Sequence, residues 1–393
     1  MWLRQLALVN FRNFRRLQID GQPGVLLVCG RNGQGKTNLL EAIYVLATSR
    51  SPRTSIEREL LNWEVAEDAD LAAVVPPFAR LDGSVKRVEG EVHLQLLFET
   101  TQAAESISRT IKVNGLPARA TALVGQLPVV YFSPADVSLA GGPPAGRRQY
   151  LNLANSQASA DHLRALQRYN RVLLQRNQVL RLVRERRQPQ SALEPWTEQM
   201  LHWGSQILYQ RHMMLALVSE RAAPIFADLA GLPDTLRITY RSTASAPAEA
   251  PPTLEELQAS FRENQARIAT REIDQAVSLL GPHRDDFAFY LGDVDLNTYG
   301  SRGQQRLAVL ALKLAEADWM HAEIGDLPVI LLDDVLSELD PERRQYVMHR
   351  VTRAEPNTER QVWITSTDRS GFANEILTSA QQFEIDAGQV RRA

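Results

Sequence analysis

The octapeptide GRNGQGKT, Gly30 to Thr37, constrains this chain more than any other segment. It fits G-x-x-x-x-G-K-[ST] in full, a pattern that carries meaning only between a strand and a helix. Both flanks are present. GVLLVCG (Gly24–Gly30) is apolar and rich in β-formers, and KTNLLEAIYVLATS sets Leu39, Leu40, Ile43, Leu46 and Ala47 on one helical face. The glycines let the backbone curl so that several N–H groups face one phosphate, and the helix N-terminus adds partial positive charge. The candidate nucleotide-binding residues are therefore Gly30, Arg31, Asn32, Gly33, Gln34, Gly35, Lys36, Thr37 and the following Asn38. Lys36 has the reach for the β- and γ-phosphates, and Thr37 for Mg²⁺. Cys29, at the strand end, reads as a small buried apolar residue.

A second segment, PVILLDD (Pro328–Asp334), is a continuous apolar run ending in two acids. Strands buried on both faces of a parallel sheet have this composition, and acids at their carboxyl ends enter the crevice where α/β ligands bind. Asp333 is the candidate for steadying Mg²⁺, and Asp334 for orienting or deprotonating an attacking water. SELD (Ser337–Asp340) follows, and PERR opens the next helix with proline at its start.

A third segment, GSRGQQR (Gly300–Arg306), holds no nucleophile and no metal-ligand pair. Ser301 stands near a cap position, Gly303 permits close approach, and a helical pattern begins at Gln304. Such a helix start is a second anion site in the same chain.

The rest of the chain bounds the answer. Its 393 residues and 44% hydrophobic content suit a protein of more than one lobe. It has no apolar run of eighteen residues and one cysteine, which predicts a cytoplasmic protein without membrane spans or disulfides. The net charge of −2 does not make the whole chain a polyanion binder. Alternating patterns from about Gly90 to Phe132 predict an antiparallel β section. From about Arg147, long amphipathic patterns predict helices, the last from about Leu254 to Leu280, with a loop at Arg241–Thr253.

Only four of the 44 basic residues are lysines, which leaves forty arginines. Genomic base composition and phosphate recognition both account for such a bias. Eight of the arginines lie between Arg164 and Arg187, against one acid, Glu185. With Arg147 and Arg148 just upstream, this region reads either as a solvated helix face or as a surface for phosphate-backbone contacts with DNA, without base readout, through Arg147, Arg148, Arg171, Arg176 and Arg184.

Phosphate loop, insertion, S-x-G-Q core, helix, acidic strand and SELD, in that order, resemble the ABC-type ATPase heads. The chain is similar in detail to the RecF family over nearly its whole length. NFRNF (Asn10–Phe14), SRSPRT (Ser49–Thr54), YFSPADVSLAGGPPAGRRQYLN (Tyr131–Asn152), QRN (Gln175–Asn177), GPHRDDF (Gly281–Phe287), GSRGQQR and LLDDVLSELD carry the similarity. It implies an α/β head with a mixed sheet and an antiparallel β section, plus a helical second lobe without a long coiled coil. Residues 1–140 with 300–393 would form the ATPase lobe, and 141–299 the helical one. It also implies ATP and Mg²⁺ as cofactors and an ATP-dependent homodimer in which Ser301, Gly303, Gln304 and Asp340 of one copy meet the ATP of the other. The implied partners are double-stranded or gapped DNA, RecR and RecO, in the loading of RecA, with slow, DNA-stimulated hydrolysis.

This chain departs from transporter-type heads at the strand after the acidic pair. That strand, QVWITST, has no histidine, so Thr365 or Thr367 would have to serve. Asp334 stands where a longer Glu is usual. GPHRDD receives no role, beyond a turn at Gly-Pro and pairing of Arg284 with Asp285 or Asp286. The competing readings are the ATPase subunit of an ABC transporter and a Rad50-like or SMC-like head. The large helical insertion and the arginine cluster speak against the first, and the lack of a long coiled coil against the second.

Overall fold

The computed structural model describes residues 1–66, 76–101, 106–231, 236–245, 251–353, 359–369 and 371–393. They fall into two compact units, Met1–Ala135 with Glu316–Ala393, and Asp136–Ala315. Residues 300–315 go with the second unit, so the boundary falls later than the one expected at 299/300.

The first unit contains two sheets. One is antiparallel, in the order β2 (Phe14–Asp20), β1 (Trp2–Phe11), β4 (Phe78–Arg87), β5 (Gly90–Thr100), β6 (Ile107–Val113) and β7 (Leu116–Ala118). The other runs β15 (Gln389–Arg392), β14 (Gln381–Asp386), β3 (Gly24–Cys29), β13 (Gln361–Ser366), β12 (Val329–Asp333) and β8 (Val129–Phe132). Its strands from β14 to β8 are parallel, and β15 closes a hairpin on β14. The expected β section therefore divides. The part up to Ala118 is antiparallel as predicted, whereas Val129–Phe132 belongs to the parallel sheet beside the acidic strand.

Helix α1 (Lys36–Thr48) explains why both sheets belong to one core. Its buried residues Leu39, Leu40, Ala42, Ile43, Val45, Leu46 and Ala47 surround the helix instead of forming a single face. They share one hydrophobic cluster with Leu8, Leu81 and Leu96 of the antiparallel sheet and with Leu26, Leu331 and Trp363 of the parallel one. A helix apolar all round is a helix enclosed on all sides. All five residues of β12 are buried, as a strand covered on both faces requires.

The second unit is largely helical: α2 (Pro144–Ala158), α3 (Ala160–Arg184), α4 (Glu194–Ala230) and α5 (Leu254–Gln275). The chain returns to the first unit within α6 (Arg302–Ile324), and α7 (Pro341–Thr352) follows β12. Helix α5 starts from a capping box formed by Thr253 and Glu256, and it ends at Gln275, earlier than the apolar pattern suggests. Of the loop expected at Arg241–Thr253, residues 246–250 lie outside the described residues. One element was not foreseen, a small antiparallel sheet of β9 (Leu236–Arg241), β10 (Asp286–Leu291) and β11 (Val294–Asp295). Among the described residues no helix is long and apolar enough to cross a membrane.

The core of this unit is unusually polar. Arg176 and Arg211 are among the largest fully buried side chains of the chain. Arg176 donates to Glu272 at 2.6 Å, Ser278 at 2.7 Å and Thr197 at 3.0 Å. Arg211 donates to the Pro282 carbonyl at 2.7 Å, Asn152 at 2.6 Å and Tyr240 at 3.0 Å. GPHRDD supplies much of this network. His283 meets the Tyr169 hydroxyl at 2.6 Å, and Asp285 accepts from Tyr240 at 2.7 Å and from the Thr243 hydroxyl and N–H at 2.6 Å each. Asp286 is gripped by Arg147, not by Arg284, whose guanidinium lies toward the Ser278 carbonyl. The expected Arg284 pairing is thus replaced, because Arg147 reaches Asp286 with both prongs of its fork.

Burial keeps three histidines of this unit neutral. His162 is pushed down to about 3 by burial and then by the Arg211 charge; His212 and His283 are each pushed down to about 4, chiefly by burial. In the unfolded chain they take up protons near 6.5, whereas the folded chain resists until about 4 or below. Stability is therefore full above pH 6.5 and is lost as pH falls from 6.5 toward 4. Each histidine contributes a slope of about 1.4 kcal/mol per pH unit inside that window. Urea unfolding at pH 7 and pH 5 should show a clear drop in midpoint, and an unchanged midpoint would contradict the burial assigned to these rings.

Candidate nucleotide site

The phosphate loop joins β3 to α1 through backbone that only glycine takes up easily. Gly33 and Gly35 have φ of 81° and 117°. Gly35 caps α1 and has no room for a methyl group, because a Cβ there would stand 2.5 Å from Asn13 Nδ2. Lys36 is buried, and its ammonium donates to the Gly30 carbonyl at 2.6 Å and the Arg31 carbonyl at 3.1 Å, with Asn32 Oδ1 at 3.4 Å. Arg31, Asn32 and Gly33 are exposed.

Two residues expected at the nucleotide serve the loop itself. The Gln34 carbonyl accepts from Asn13 Nδ2 at 2.8 Å, and its Oε1 accepts from the Ala387 N–H at 2.6 Å in the β14–β15 turn. Asn38 donates to Asn13 Oδ1 at 2.8 Å and accepts from Arg53 at 2.8 Å. Asn13, from the β1–β2 turn, thus ties the loop to the first turn of α1. Behind it, buried Glu41 accepts from Arg12 at 2.7 and 2.9 Å, from Ser51 at 2.5 Å and from Arg53 at 3.2 Å. NFRNF and SRSPRT were visible as segments, but nothing in their spacing shows that they meet on α1.

Asp333 is the centre of the site. Its Oδ1 accepts from Thr37 at 3.0 Å and Thr365 at 2.9 Å, and its Oδ2 accepts from Tyr131 at 3.0 Å. Burial pushes its carboxyl above the ordinary value, opposed by the hydroxyls of Thr365, Thr37 and Tyr131 and reinforced by neighbouring Asp334. Tyr131 comes from YFSPAD on β8 and packs on Tyr44 at a ring distance of 5.4 Å. Its hydroxyl is a site group that sequence reasoning missed, since pairing of β8 with β12 is what brings it here.

Asp334 lies just past the end of β12 with φ of 54°, a left-handed conformation uncommon for Asp and typical of strained functional positions. Its N–H donates to Thr365 Oγ1 at 2.9 Å. Its buried Oδ1 has no hydrogen-bond partner among the described residues. An orphan carboxylate oxygen beside a phosphate loop suits a group that must accept from water. Thr365 is buried, and its hydroxyl donates to Asp333 Oδ1 at 2.9 Å and accepts from the Asp334 N–H, so it joins the carboxylate of one acid to the backbone of the next. Thr367 is exposed on the following loop.

The donors present fit Mg²⁺. A threonine hydroxyl and a carboxylate 3.0 Å apart, at the start of a phosphate loop helix, are the hard oxygen set that a magnesium ion shares with substrate phosphates. Among the described residues no group of three His, Cys, Asp or Glu forms a self-sufficient metal cage.

In the second unit the S-x-G-Q segment forms a capping box. Ser301 Oγ accepts from the Gln304 N–H at 3.2 Å, and Gln304 Oε1 accepts from the Ser301 N–H at 3.0 Å. Ser301, Arg302 and Gly303 are exposed at the head of α6. Asp340 is the exposed N-cap of α7. The Arg343 N–H bonded to it, and then the Arg343 charge, hold its carboxyl below the ordinary range.

The candidate DNA arginines separate. Arg147 and Arg176 are buried in the ion pairs already described and cannot meet a phosphate backbone. Arg148 is half-buried and donates to the Asp285 carbonyl at 3.1 Å. Arg171 and Arg184 are exposed on α3, as are Arg164, Arg168 and Arg181.

Strand, glycine loop, enclosed helix and acidic strand define an ATPase head of the RecF and SMC class. A family model described as the RecF/RecN/SMC N-terminal domain matches residues 2–384. The DNA replication and repair protein RecF of Chloroflexus aggregans is 39% identical over 401 residues, with 99% of each chain covered. That of Bacillus subtilis is 34% identical over 390 residues, again with 99% of each covered. The chain therefore belongs to the RecF family. A solved structure of the recombination mediator protein RecF with ATP in the RecFOR pathway superposes with a TM-score of 0.85 at 28% identity, covering 100% of this chain and 97% of that one. An Smc head bound to a ScpA domain shares the fold alone, with a TM-score of 0.52 at 13% identity.

The bridging role of Thr365 is testable. Thr365→Val keeps shape and removes the hydroxyl that holds the Asp333 carboxylate and the Asp334 backbone N–H. It should lower ATP hydrolysis by about 10- to 100-fold, the usual cost of losing an orienting partner, while nucleotide affinity stays within about twofold. An unchanged turnover number would remove Thr365 from the site.

Proposed function

We propose that this protein is an ATP-dependent DNA-binding protein of replication and recombinational repair, and that ATP acts by joining two copies. The observation that carries the reading is the pair of phosphate-binding segments, Gly30–Thr37 and the capped segment at Ser301–Gln304, in one RecF-family chain. Each ATP is held by the phosphate loop of one copy and completed by Ser301, Gly303 and Gln304 of the other, with Asp340 nearby. Thr37 and Asp333 would hold Mg²⁺, which when bound would supply positive charge against the substrate phosphates. Lys36 binds those phosphates as a point charge, and Asp334 orients the attacking water. Hydrolysis is slow, since the short Asp334 side chain keeps its carboxylate a methylene further back than Glu. Hydrolysis releases the pair.

DNA binds through phosphate contacts of the exposed α3 arginines Arg164, Arg168, Arg171, Arg181 and Arg184, without base readout. The solved relative is a recombination mediator in the RecFOR pathway, which supports RecR and RecO as partners and RecA loading as the purpose. DNA stimulation of the ATPase and action at gapped or single-strand–double-strand junctions belong to the same proposal.

Two outcomes test it. ATP should double the solution mass of the wild-type protein but not of Ser301→Arg, whose bulk fills the space owed to a phosphate. A Ser301→Arg protein that doubles normally would exclude the shared site. For DNA, Arg171→Ala and Arg181→Ala should each reduce the salt slope of binding by about 1. Arg176→Ala should instead destabilise the fold by about 3–5 kcal/mol, because it leaves Glu272 buried and unpaired. DNA titrations across salt, with urea melts of the same variants, separate the two effects.

A further inference from the structure

Arg147 is a poor choice for where it sits. It lies one turn into α2, where the helix dipole disfavours a cation, and it is buried. Its guanidinium nevertheless makes four hydrogen bonds. Nε and Nη2 donate to the two oxygens of Asp286 at 2.6 and 2.8 Å, and Nη1 donates to the carbonyls of Gly142 at 2.8 Å and Leu139 at 3.2 Å. The carbonyls close the short helical turn Ser138–Gly141, and the acid opens β10.

That turn leads to the capped segment. A methyl group on Gly141 would stand 3.0 Å from Gln305 Oε1, so turn and side chain are in close apposition. Gln305 Nε2 donates to the Leu296 carbonyl at 2.8 Å, which also accepts from the Gly300 N–H at 3.1 Å. Gly300 precedes Ser301, whose carbonyl accepts from the Gln305 N–H at 2.9 Å. A second tie runs from β10 directly, where the Phe289 N–H donates to Asn297 Oδ1 at 3.1 Å. The segment is thus held from β10 at two points, by Asn297 and by the chain Asp286, Arg147, Gly141 turn, Gln305. The strand itself is anchored by buried Asp285, on Thr243 and Tyr240.

We infer that Arg147 and Gln305 are positioning residues for Ser301–Gln304, setting the angle at which one copy presents this segment to the nucleotide of the other. The inference rests on the shared-site reading above. It gives GPHRDD a function: Asp286 is the fixed end of the support, and Asp285 keeps it fixed. Only a planar fork with donors on three nitrogens can hold an acid and two carbonyls together, so lysine cannot substitute.

The test uses Arg147→Lys and Gln305→Ala in the full chain, with Ser301→Arg beside them. ATP affinity of the single copy is measured with a fluorescent nucleotide, and ATP-driven dimerisation by solution mass across protein concentration. Both variants should bind nucleotide within about twofold of wild type and dimerise at least about tenfold more weakly, in the range expected when an orienting contact is lost. A merely structural role would lower the melting temperature without separating these two readouts. If Gln305→Ala dimerises like wild type while Ser301→Arg does not, the positioning role is wrong and the shared site stands. If Ser301→Arg also dimerises normally, the shared site falls and the inference with it. Should Arg147→Lys fail to fold, Gln305→Ala, which leaves the Arg147–Asp286 pair intact, decides alone.

Discussion

The Asp333 carboxylate is where the first unit converges. Its two oxygens receive hydroxyls from α1, β13 and β8, so one buried acid fixes the ends of three elements beside the phosphate loop. Burial raises its proton affinity, and the three donors oppose that effect. A carboxylate held this way keeps its place at the start of α1 without drifting toward its neighbours. The parallel pairing of β8, β12 and β13 follows the same logic, since only that register brings Tyr131, Asp333 and Thr365 to one edge.

Support for the loop comes from segments distant in sequence. Asn13 stands behind Gly35, the β14–β15 turn holds Gln34, and Glu41 gathers Arg12, Ser51 and Arg53 under α1. Polar pairing does in this unit what the buried arginines do in the other. Arg147 and Arg211 tie helices to the GPHRDD turn, Arg176 ties α3 to Glu272 of α5, and the histidines beside them stay neutral.

The parts legible in the sequence were those whose chemistry is local. The phosphate loop, the acidic strand, the serine cap of α6 and three long helical stretches follow from spacing within a few residues, although the break at Ser159 that divides the first stretch into α2 and α3 does not. Unreadable were the contacts that depend on which strands pair. Tyr131 enters the site only because β8 abandons the antiparallel sheet, and β9 and β10 meet across the whole of α5. The arginine run misled for a physical reason. Helical periodicity turns Arg176 inward with Tyr169 and Val172, while Arg171 and Arg181 of the same helix face solvent. Counting charges along the chain cannot make that distinction, whereas counting them around the helix does. Thr365 shows the same limit, since only the pairing of β13 with β12 brings its hydroxyl to the Asp333 carboxylate and the Asp334 N–H.

The central claim is that the catalytic unit is two chains, each lending half of a site. Mixing copies that are defective in opposite halves tests it most directly. Lys36→Met disables a phosphate loop and keeps the capped segment; Ser301→Arg does the reverse. Neither should hydrolyse ATP alone, and an equimolar mixture should recover ATPase activity, because mixed pairs contain one intact site. A mixture as inactive as its components, or a Ser301→Arg protein that is active alone, would contradict the account.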